Sequence, residues 1–392
     1  MDTFRKQLEK LEQDDMLRRL QPLKGRGAGY VTRDNTKFIN LSSNDYLGLA
    51  GDQQFLESFY SSKTDENLID VFGLGSASSR LLTGDVEQAH QLEGLLAELY
   101  GREASLLFNS GYHANIGIIS ALFGKKDLVL SDKLNHASIH DGLRIGLADY
   151  KRFRHRDYEH LSRLLEKHRD DYSQVLIVSE SIFSMDGDCA DLAELVRLKK
   201  AYNCLIYLDE AHGVGLYGDK GLGLAEQEDC IDDIDFLVGT FGKACASIGA
   251  FIVCSEVIRD FLINRSRSLI FTTALPPVVL SWNYYVMRHL PEMKQRRSHL
   301  QHISKRLRTD LQDQGLRTGG STNIVPVIIG EADRTVAGAN YLQEQGFLIL
   351  PVRPPTVPQA TSRFRLSLTA DLTYDQLAQL PQLIKDWLEQ SL

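Results

Sequence analysis

Between residues 106 and 253 the chain keeps returning to one motif: a short, continuously apolar run, in most cases with β-branched content. The runs are Leu106-Leu107-Phe108, Leu128-Val129-Leu130, Val175-Leu176-Ile177-Val178, Leu205-Ile206-Tyr207-Leu208, Phe236-Leu237-Val238 and Ala250-Phe251-Ile252-Val253. A strand with no polar alternation must be covered on both faces, and helices provide that cover when they cross over between parallel strands. Helical stretches near 113–122, 158–168 and 190–202 separate several of the runs. The pattern predicts an α/β domain with a mostly parallel sheet, whose ligands gather at the carboxyl ends of its strands. Asp85, with Gln88 at the capping-box position, is expected to cap a helix carrying Val86, Ala89, Leu92, Leu96 and Leu99.

The flanks read differently. Residues 4–20 suggest an amphipathic helix with Phe4, Leu8, Leu11 and Leu17 on one side, followed by Gly25, Gly27, Gly29 and a hairpin-like stretch to Leu41. After Pro276-Pro277 a long helical stretch leads into a second unit. Its strand candidates are Ile324 to Ile329, Phe347 to Leu350 and Phe364 to Leu368, and its closing helices lie near 333–345 and 375–389. The expected organisation is an arm over 1–45, a large domain over 46–285 and a small α/β domain over 286–392, within the size range for such units.

Several function classes fall away. The net charge is −8 and the basic cluster Arg152-Phe153-Arg154-His155-Arg156 is short, so no nucleic-acid footprint exists. The five cysteines form no C-x-x-C pair, which points to a reducing cytoplasm and to neither a disulfide framework nor a metal site. The charged N-terminus carries no apolar signal core, and no apolar run suits a membrane span. Asp209-Glu210-Ala211-His212 also fits the acidic motif of a nucleotide motor, but no phosphate loop precedes it. Gly213-Val214-Gly215-Leu216-Tyr217-Gly218 matches a dinucleotide fingerprint, yet the chain continues as glycine-rich loop where that fingerprint needs a helix, so a turn is the better reading.

The chemistry gathers where strands end. Lys243 sits among small residues in Val238-Gly239-Thr240-Phe241-Gly242-Lys243-Ala244, a setting for a carbonyl-trapping amine rather than a surface charge. Asp209 closes an apolar strand with His212 three residues on, a place where a carboxylate could partner a protonated ring nitrogen. Ser110-Gly111-Tyr112 opens a helix whose free N–H groups could cradle a phosphate, or simply be capped. His136, in Asn135-His136-Ala137-Ser138, is either structural or a ring that stacks on a planar cofactor. Each residue alone is ambiguous; the set together suggests pyridoxal phosphate held on Lys243 as a Schiff base.

At these residues the chain resembles the α-oxoamine synthases, pyridoxal-phosphate enzymes with the aspartate-aminotransferase fold (PLP fold type I). The likeness runs along nearly the whole sequence. It includes Ser43-Asn44-Asp45-Tyr46-Leu47-Gly48-Leu49, Asn135 to Ser138, Phe183-Ser184-Met185-Asp186-Gly187-Asp188, Asp209 to Gly213 and Thr240 to Lys243. One departure is Ala244-Cys245-Ala246, where the family often has more glycine. The resemblance implies a seven-stranded, mostly parallel sheet. It also implies that Lys243, Asp209 and His136 are catalytic, with Lys243 as tether and base, Asp209 on the pyridinium nitrogen and His136 stacked on the ring. By the same likeness His212 and Ser184 support the ring's 3-oxygen. Gly111, Tyr112 and Thr240 hold the phosphate, with Thr272 and Thr273 reaching it from the other subunit of a homodimer with shared active sites. Asn44 lines the pocket, Arg18, Arg353 and Thr356 contact substrate, and Arg365 binds an amino-acid carboxylate.

Arg353-Pro354-Pro355-Thr356-Val357-Pro358 and Arg363 to Ala370 most resemble the family's biotin-pathway member, which joins L-alanine to pimeloyl-CoA or a pimeloyl-carrier protein. A sister synthase using glycine and another acyl-CoA, or an α/β binding protein without chemistry, are the alternatives.

Overall fold

A computed structural model describes residues 1–13, 16–63 and 67–391. The chain divides into two compact units. The larger comprises Gln53–Phe183 and Cys189–Arg297, the smaller Met1–Asp52, Ser184–Asp188 and Ser298–Leu392.

The larger unit is built on a seven-stranded sheet. Its strands are β1 (Ala104–Phe108), β2 (Leu128–Asp132), β3 (Asp149–Phe153), β4 (Val175–Glu180), β5 (Leu205–Asp209), β6 (Phe236–Thr240) and β7 (Ala250–Cys254). They lie in the order β1-β7-β6-β5-β4-β2-β3, all parallel except β7, which runs antiparallel to both β1 and β6. β1, β2, β4, β6 and β7 are buried at every residue, as the apolar runs within them require. On one face Leu106, Phe108, Val129, Leu176, Val178, Tyr207, Val238 and Ile252 pack with Ile118 and Ile139 into a single core. The strand that periodicity does not reveal is β3. Its sequence, Asp149-Tyr150-Lys151-Arg152-Phe153, is polar because it lies at the sheet's end, and only Phe153 is buried.

The helix after the Arg80 region begins at Glu87, and the expected cap fails. Val86 holds the capping position without a side-chain bond. The Asp85 carboxylate is instead engaged by Arg80 Nε at 2.7 Å and His90 Nε2 at 2.7 Å, so its oxygens are not free for the helix N–H groups. Helices Gly111–Leu122 and Ala137–Ile145 follow β1 and β2, so each strand's carboxyl end runs into a helix start.

In the smaller unit, strands Lys24–Gly27, Tyr30–Arg33 and Thr36–Asn40 form an antiparallel meander, and Phe347–Leu348 adds parallel to Thr36–Asn40. A second sheet orders Ile324–Gly330, Ser362–Ser367 and Pro351–Val352. The N-terminal helix is shorter than its apolar spacing suggests, spanning Asp2–Gln13 with no buried residue. Residues 14 and 15 of the expected helix lie outside the described residues. Leu17 N bonds to Leu11 O at 2.9 Å, and residues 16–20 are irregular chain. Among the described residues no helix is long and apolar enough to cross a membrane.

Candidate active site

The buried acid at the end of β5 organises the larger unit. Asp209 is 6% exposed, and its Oδ2 accepts from Asn115 Nδ2 at 2.8 Å while its Oδ1 accepts from Ala211 N at 2.8 Å. Asn115 is itself pinned: it donates to Ser138 Oγ at 2.9 Å and accepts from the Tyr207 hydroxyl. Neutral donors on both oxygens fix the plane of the carboxylate in a low-dielectric setting. Sequence reasoning missed Asn115. The available signal was an amide set beside Ala114 and Ile118 on the inward side of an otherwise apolar helix.

His136 stands at the start of helix Ala137–Ile145, where its Nδ1 accepts from Ser138 N at 3.3 Å and lies 2.7 Å from Ser138 Oγ. Its backbone N–H donates to the Glu180 carboxyl at the end of β4. Burial pushes the His136 imidazole below its ordinary pKa; Asp209 pulls it up, and the Lys243 charge lowers it further. Burial holds the Glu180 carboxyl well above the ordinary range, Asp209 adds to the rise, and Lys243 opposes it. His136 and Glu180 are therefore both within reach of the charges of Asp209 and Lys243. Glu180 is the second residue the sequence did not single out, because it follows the apolar run Val175 to Val178 and Ser179 like any polar strand end.

Lys243 is half-buried in the loop joining β6 to β7. Thr240, the last residue of β6, donates from Oγ1 to Gly249 O at 2.9 Å and accepts from Gly242 N at 3.1 Å, while Ala246 N closes a turn on Lys243 O at 2.9 Å. A side chain at Gly111 would place its β-carbon 3.8 Å from Thr240 Cβ, so the start of helix Gly111–Leu122 lies beside that threonine. Ser110 caps the same helix, accepting from His113 N at 3.2 Å. Helix-start N–H groups next to a threonine hydroxyl suit a phosphate.

The remaining expected residues of this unit fall around that centre. Tyr112 is exposed and donates to Asp141 at 2.7 Å; His212 is buried in the turn after β5. Asn109 donates to Thr273 O at 2.7 Å and lies 3.5 Å from Thr272 Oγ1, which sets both threonines beside the segment leading into helix Gly111–Leu122. The glycine run after His212 is a turn. A β-carbon at Gly213 would meet Glu210 Oε2 at 1.9 Å, and Gly223, at φ +130°, faces the same carboxyl. Glu210 is fully buried, accepts from Ser181 Oγ at 2.5 Å and Ala225 N at 2.7 Å, and burial raises its pKa to about 7. The glycines thus make room for a buried carboxyl.

In the smaller unit, Arg365 donates from Nε to Ser184 O at 2.5 Å, from both terminal nitrogens to Asn44 Oδ1 at 3.2 and 3.3 Å, and to the Tyr46 hydroxyl at 3.3 Å. These partners are all neutral, which leaves the guanidinium's charge available to an anion. Arg18 donates to Thr356 Oγ1 at 3.1 Å and Arg353 to Leu17 O at 3.3 Å, so these three expected substrate contacts share one neighbourhood. Arg363, by contrast, is buried and committed to Asp186.

A cavity of about 500 Å³ lies elsewhere in the larger unit, along β1. Its charges are largely spent on one another: Arg80 pairs with Asp85 at 2.7 Å and with Glu93. The strand-end cluster is the better candidate. It supplies an amine, a buried carboxylate, an imidazole held neutral and a phosphate cradle, the donor set that pyridoxal phosphate needs.

Comparison with known proteins agrees with this geometry. The family model described as aminotransferase class I and II matches residues 36–384. A Glaesserella parasuis protein provisionally named 8-amino-7-oxononanoate synthase is 51% identical over 375 residues, covering 95% of this chain and 97% of its own. A Haemophilus influenzae protein with the same provisional name is 50% identical, covering 97% and 99%. Among solved structures, Sphingomonas wittichii serine palmitoyltransferase superposes with a TM-score of 0.89 at 30% identity, over 99% of this chain and 97% of that one. A further serine palmitoyltransferase, solved with PLP, gives 0.90 at 28% identity. The 8-amino-7-oxononanoate synthase of Francisella tularensis gives 0.75 at 25% identity, covering 90% and 98%.

Proposed function

This chain belongs to the class I and II aminotransferase family and, within it, to the α-oxoamine synthases, which work with pyridoxal phosphate; on that premise we propose that it joins L-alanine to a pimeloyl thioester to give 8-amino-7-oxononanoate. The observation that carries the reading is identity of 51% and 50% to two relatives provisionally named for that product. In the overall reaction a carbon–carbon bond forms between the alanine Cα and the acyl carbonyl, the thiol leaves, and the alanine carboxylate departs as carbon dioxide.

Pyridoxal phosphate, when bound, supplies an electron sink for negative charge on the carbon beside the amino group. Asp209 keeps a proton on the ring nitrogen, and the donors from Asn115 and Ala211 aim its carboxylate. His136, whose neutral form burial favours, would offer an uncharged ring to the cofactor. Thr240, Gly111 and Tyr112 take the phosphate, and His212 and Ser184 support the ring oxygen. Lys243 would anchor the cofactor, and its amine would take the alanine Cα proton and later return one. Arg365 binds the alanine carboxylate and so fixes which Cα bond is broken, a positioning contribution. Asn44 shapes the pocket, while Arg18, Arg353 and Thr356 receive the acyl donor. In this reading residues 46–285 bind the cofactor, 286–392 form a small domain and 1–45 an arm. The free thiols of all five cysteines fit a cytoplasmic enzyme.

A second reading has specific support, since the fold matches serine palmitoyltransferase at 0.89 and the Francisella tularensis synthase at 0.75. Backbone similarity does not report pocket chemistry, however, and the higher sequence identities carry more weight. Specificity constants should be measured for alanine, glycine and serine against pimeloyl, acetyl and palmitoyl thioesters. Alanine with pimeloyl thioester is expected to win. One methyl gives only about 10–200-fold over glycine, and the acyl chain should discriminate more through remote binding energy. A win for serine with the palmitoyl thioester, or glycine with acetyl-CoA, keeps the family and overturns this product.

The active form in this reading is a homodimer, with Thr272 and Thr273 completing the partner's phosphate site. Mixing inactive Lys243→Ala subunits with inactive Thr272→Ala/Thr273→Ala subunits should restore activity, because each hybrid keeps one intact site. A fully active monomer in sedimentation would refute the shared site.

A further inference from the structure

We propose that Trp282 and Asn283 are positioning residues that hold the amine of Lys243 in its working place, an inference that rests on the role given to Lys243 above. The two limbs of the loop from Phe241 to Gly249 are tied to each other at its base: Phe241 N donates to Gly249 O at 3.0 Å, Ser247 N to Phe241 O at 3.0 Å, and Thr240 Oγ1 to Gly249 O at 2.9 Å. After the turn closed by Ala246 N on Lys243 O, two backbone carbonyls, of Cys245 and Ile248, take their hydrogen bonds from outside the loop. Trp282 Nε1 donates to Cys245 O at 3.1 Å and Asn283 Nδ2 donates to Ile248 O at 3.1 Å. The donors are neighbours on one helix, Pro277–His289, so a single rigid element grips the far limb of the lysine loop.

The grip is itself braced. The Trp282 indole meets Phe55 edge-on with centroids 5.7 Å apart and Phe59 edge-on at 5.2 Å, and it stacks on Tyr285 at 6.4 Å. These contacts restrict the ring's rotamer and aim its N–H. Asn283 is 0% exposed, and its Oδ1 finds no hydrogen-bond partner among the described residues. A buried acceptor without a protein partner is a net cost that an apolar residue of similar size would avoid. What the amide gives in return is the bond to Ile248 O. Departures from purely stabilising choices collect at functional sites, and the loop this amide holds is the one that carries the amine.

The argument from magnitude is simple. Displacing a reacting group by about 1 Å costs roughly 10²-fold in rate, and deleting both donors takes from Cys245 O and Ile248 O the bonds that hold this stretch of the loop to the helix. The test uses Trp282→Phe, which keeps the ring and deletes the N–H, Asn283→Leu, which deletes the amide, and the double variant. Each is purified as holoenzyme and as cofactor-free protein. Three readouts are taken: kcat and KM, the thermal midpoint, and the rate at which the Lys243 peptide of the cofactor-free protein is acylated by an amine reagent, followed by mass spectrometry. The double variant is expected to lose roughly 10²-fold in kcat while KM for alanine stays within about 3-fold, and to change the Lys243 acylation rate at least about 3-fold without altering that of surface lysines.

A purely structural role predicts a lower thermal midpoint with Lys243 acylation unchanged, and that result overturns the proposal, as does a double variant with wild-type kcat. If the double variant fails to fold, the single Trp282→Phe acylation rate decides alone. Should borohydride fix the cofactor of the wild-type enzyme on another lysine, the proposed role of Lys243 fails first, and the acylation data still report whether the two donors hold the loop.

Discussion

Replacing Lys243 with alanine is expected to lower turnover by at least about 10⁴-fold, to the limit of detection, because one amine serves as both the cofactor's anchor and the proton-transfer base. The residue sits half-buried, and its charge reaches both His136 and Glu180, so no second lysine need be invoked. The wild-type protein should absorb in the visible, and borohydride should bleach that colour and fix the cofactor on the peptide containing Lys243. The variant should fold with an unchanged melt and lose the borohydride-fixable label. Ordinary turnover in Lys243→Ala, or a label on a different lysine, would remove this residue from the chemistry.

The second large effect concerns Asp209. Asp209→Ala should cost on the order of 10³-fold in kcat even with cofactor bound, a loss matching removal of a major electrostatic stabiliser. Two things change together. The carboxylate that would keep the ring nitrogen protonated is gone, and the donors from Asn115 and Ala211 lose their acceptor. Each donor left buried without a partner costs about 1–3 kcal/mol, so the melting temperature should fall as well. An Asn115→Ala variant separates the two contributions. It removes one donor but leaves the carboxylate, and should lose far less activity for a comparable loss of stability. Near-normal turnover in Asp209→Ala with cofactor occupancy verified would defeat the assignment.

The parts of this fold legible in the sequence are those set by local physics. Continuous apolar runs marked every fully buried strand of the large sheet, because a strand covered on both faces has no room for alternation. The helix opened by Ser110 was legible from its capping serine. What escaped depends on partners far away in the chain. Asp85 has the chemistry of a cap, but Arg80 and His90 outbid the helix for its oxygens. The union of Thr36–Asn40 with Phe347–Leu348 joins distant segments through a pairing that no local pattern encodes. The commitments of Asn115 to Asp209 and of Glu180 to the backbone of His136 likewise appear only once the strands are side by side. Lys243, Asp209 and His136 could be picked out beforehand because each follows an apolar run; the residues that orient them could not.

The polar strand at the end of the sheet has a consequence for the protein's behaviour in concentrated solution. Strands as apolar as β4 and β6 are the stuff of cross-β aggregates if an open sheet edge offers them a template. Here β3 ends the sheet with Asp149, Lys151 and Arg152, and an added strand would have to strip these charges of water. At the opposite end the N–H of Leu107 is already taken by the Glu93 carboxylate at 2.9 Å. With charges along one margin and Leu107 N–H already engaged at the other, neither end of the sheet is a bare template. The most hydrophobic segments of the molecule can therefore form its centre without making it sticky.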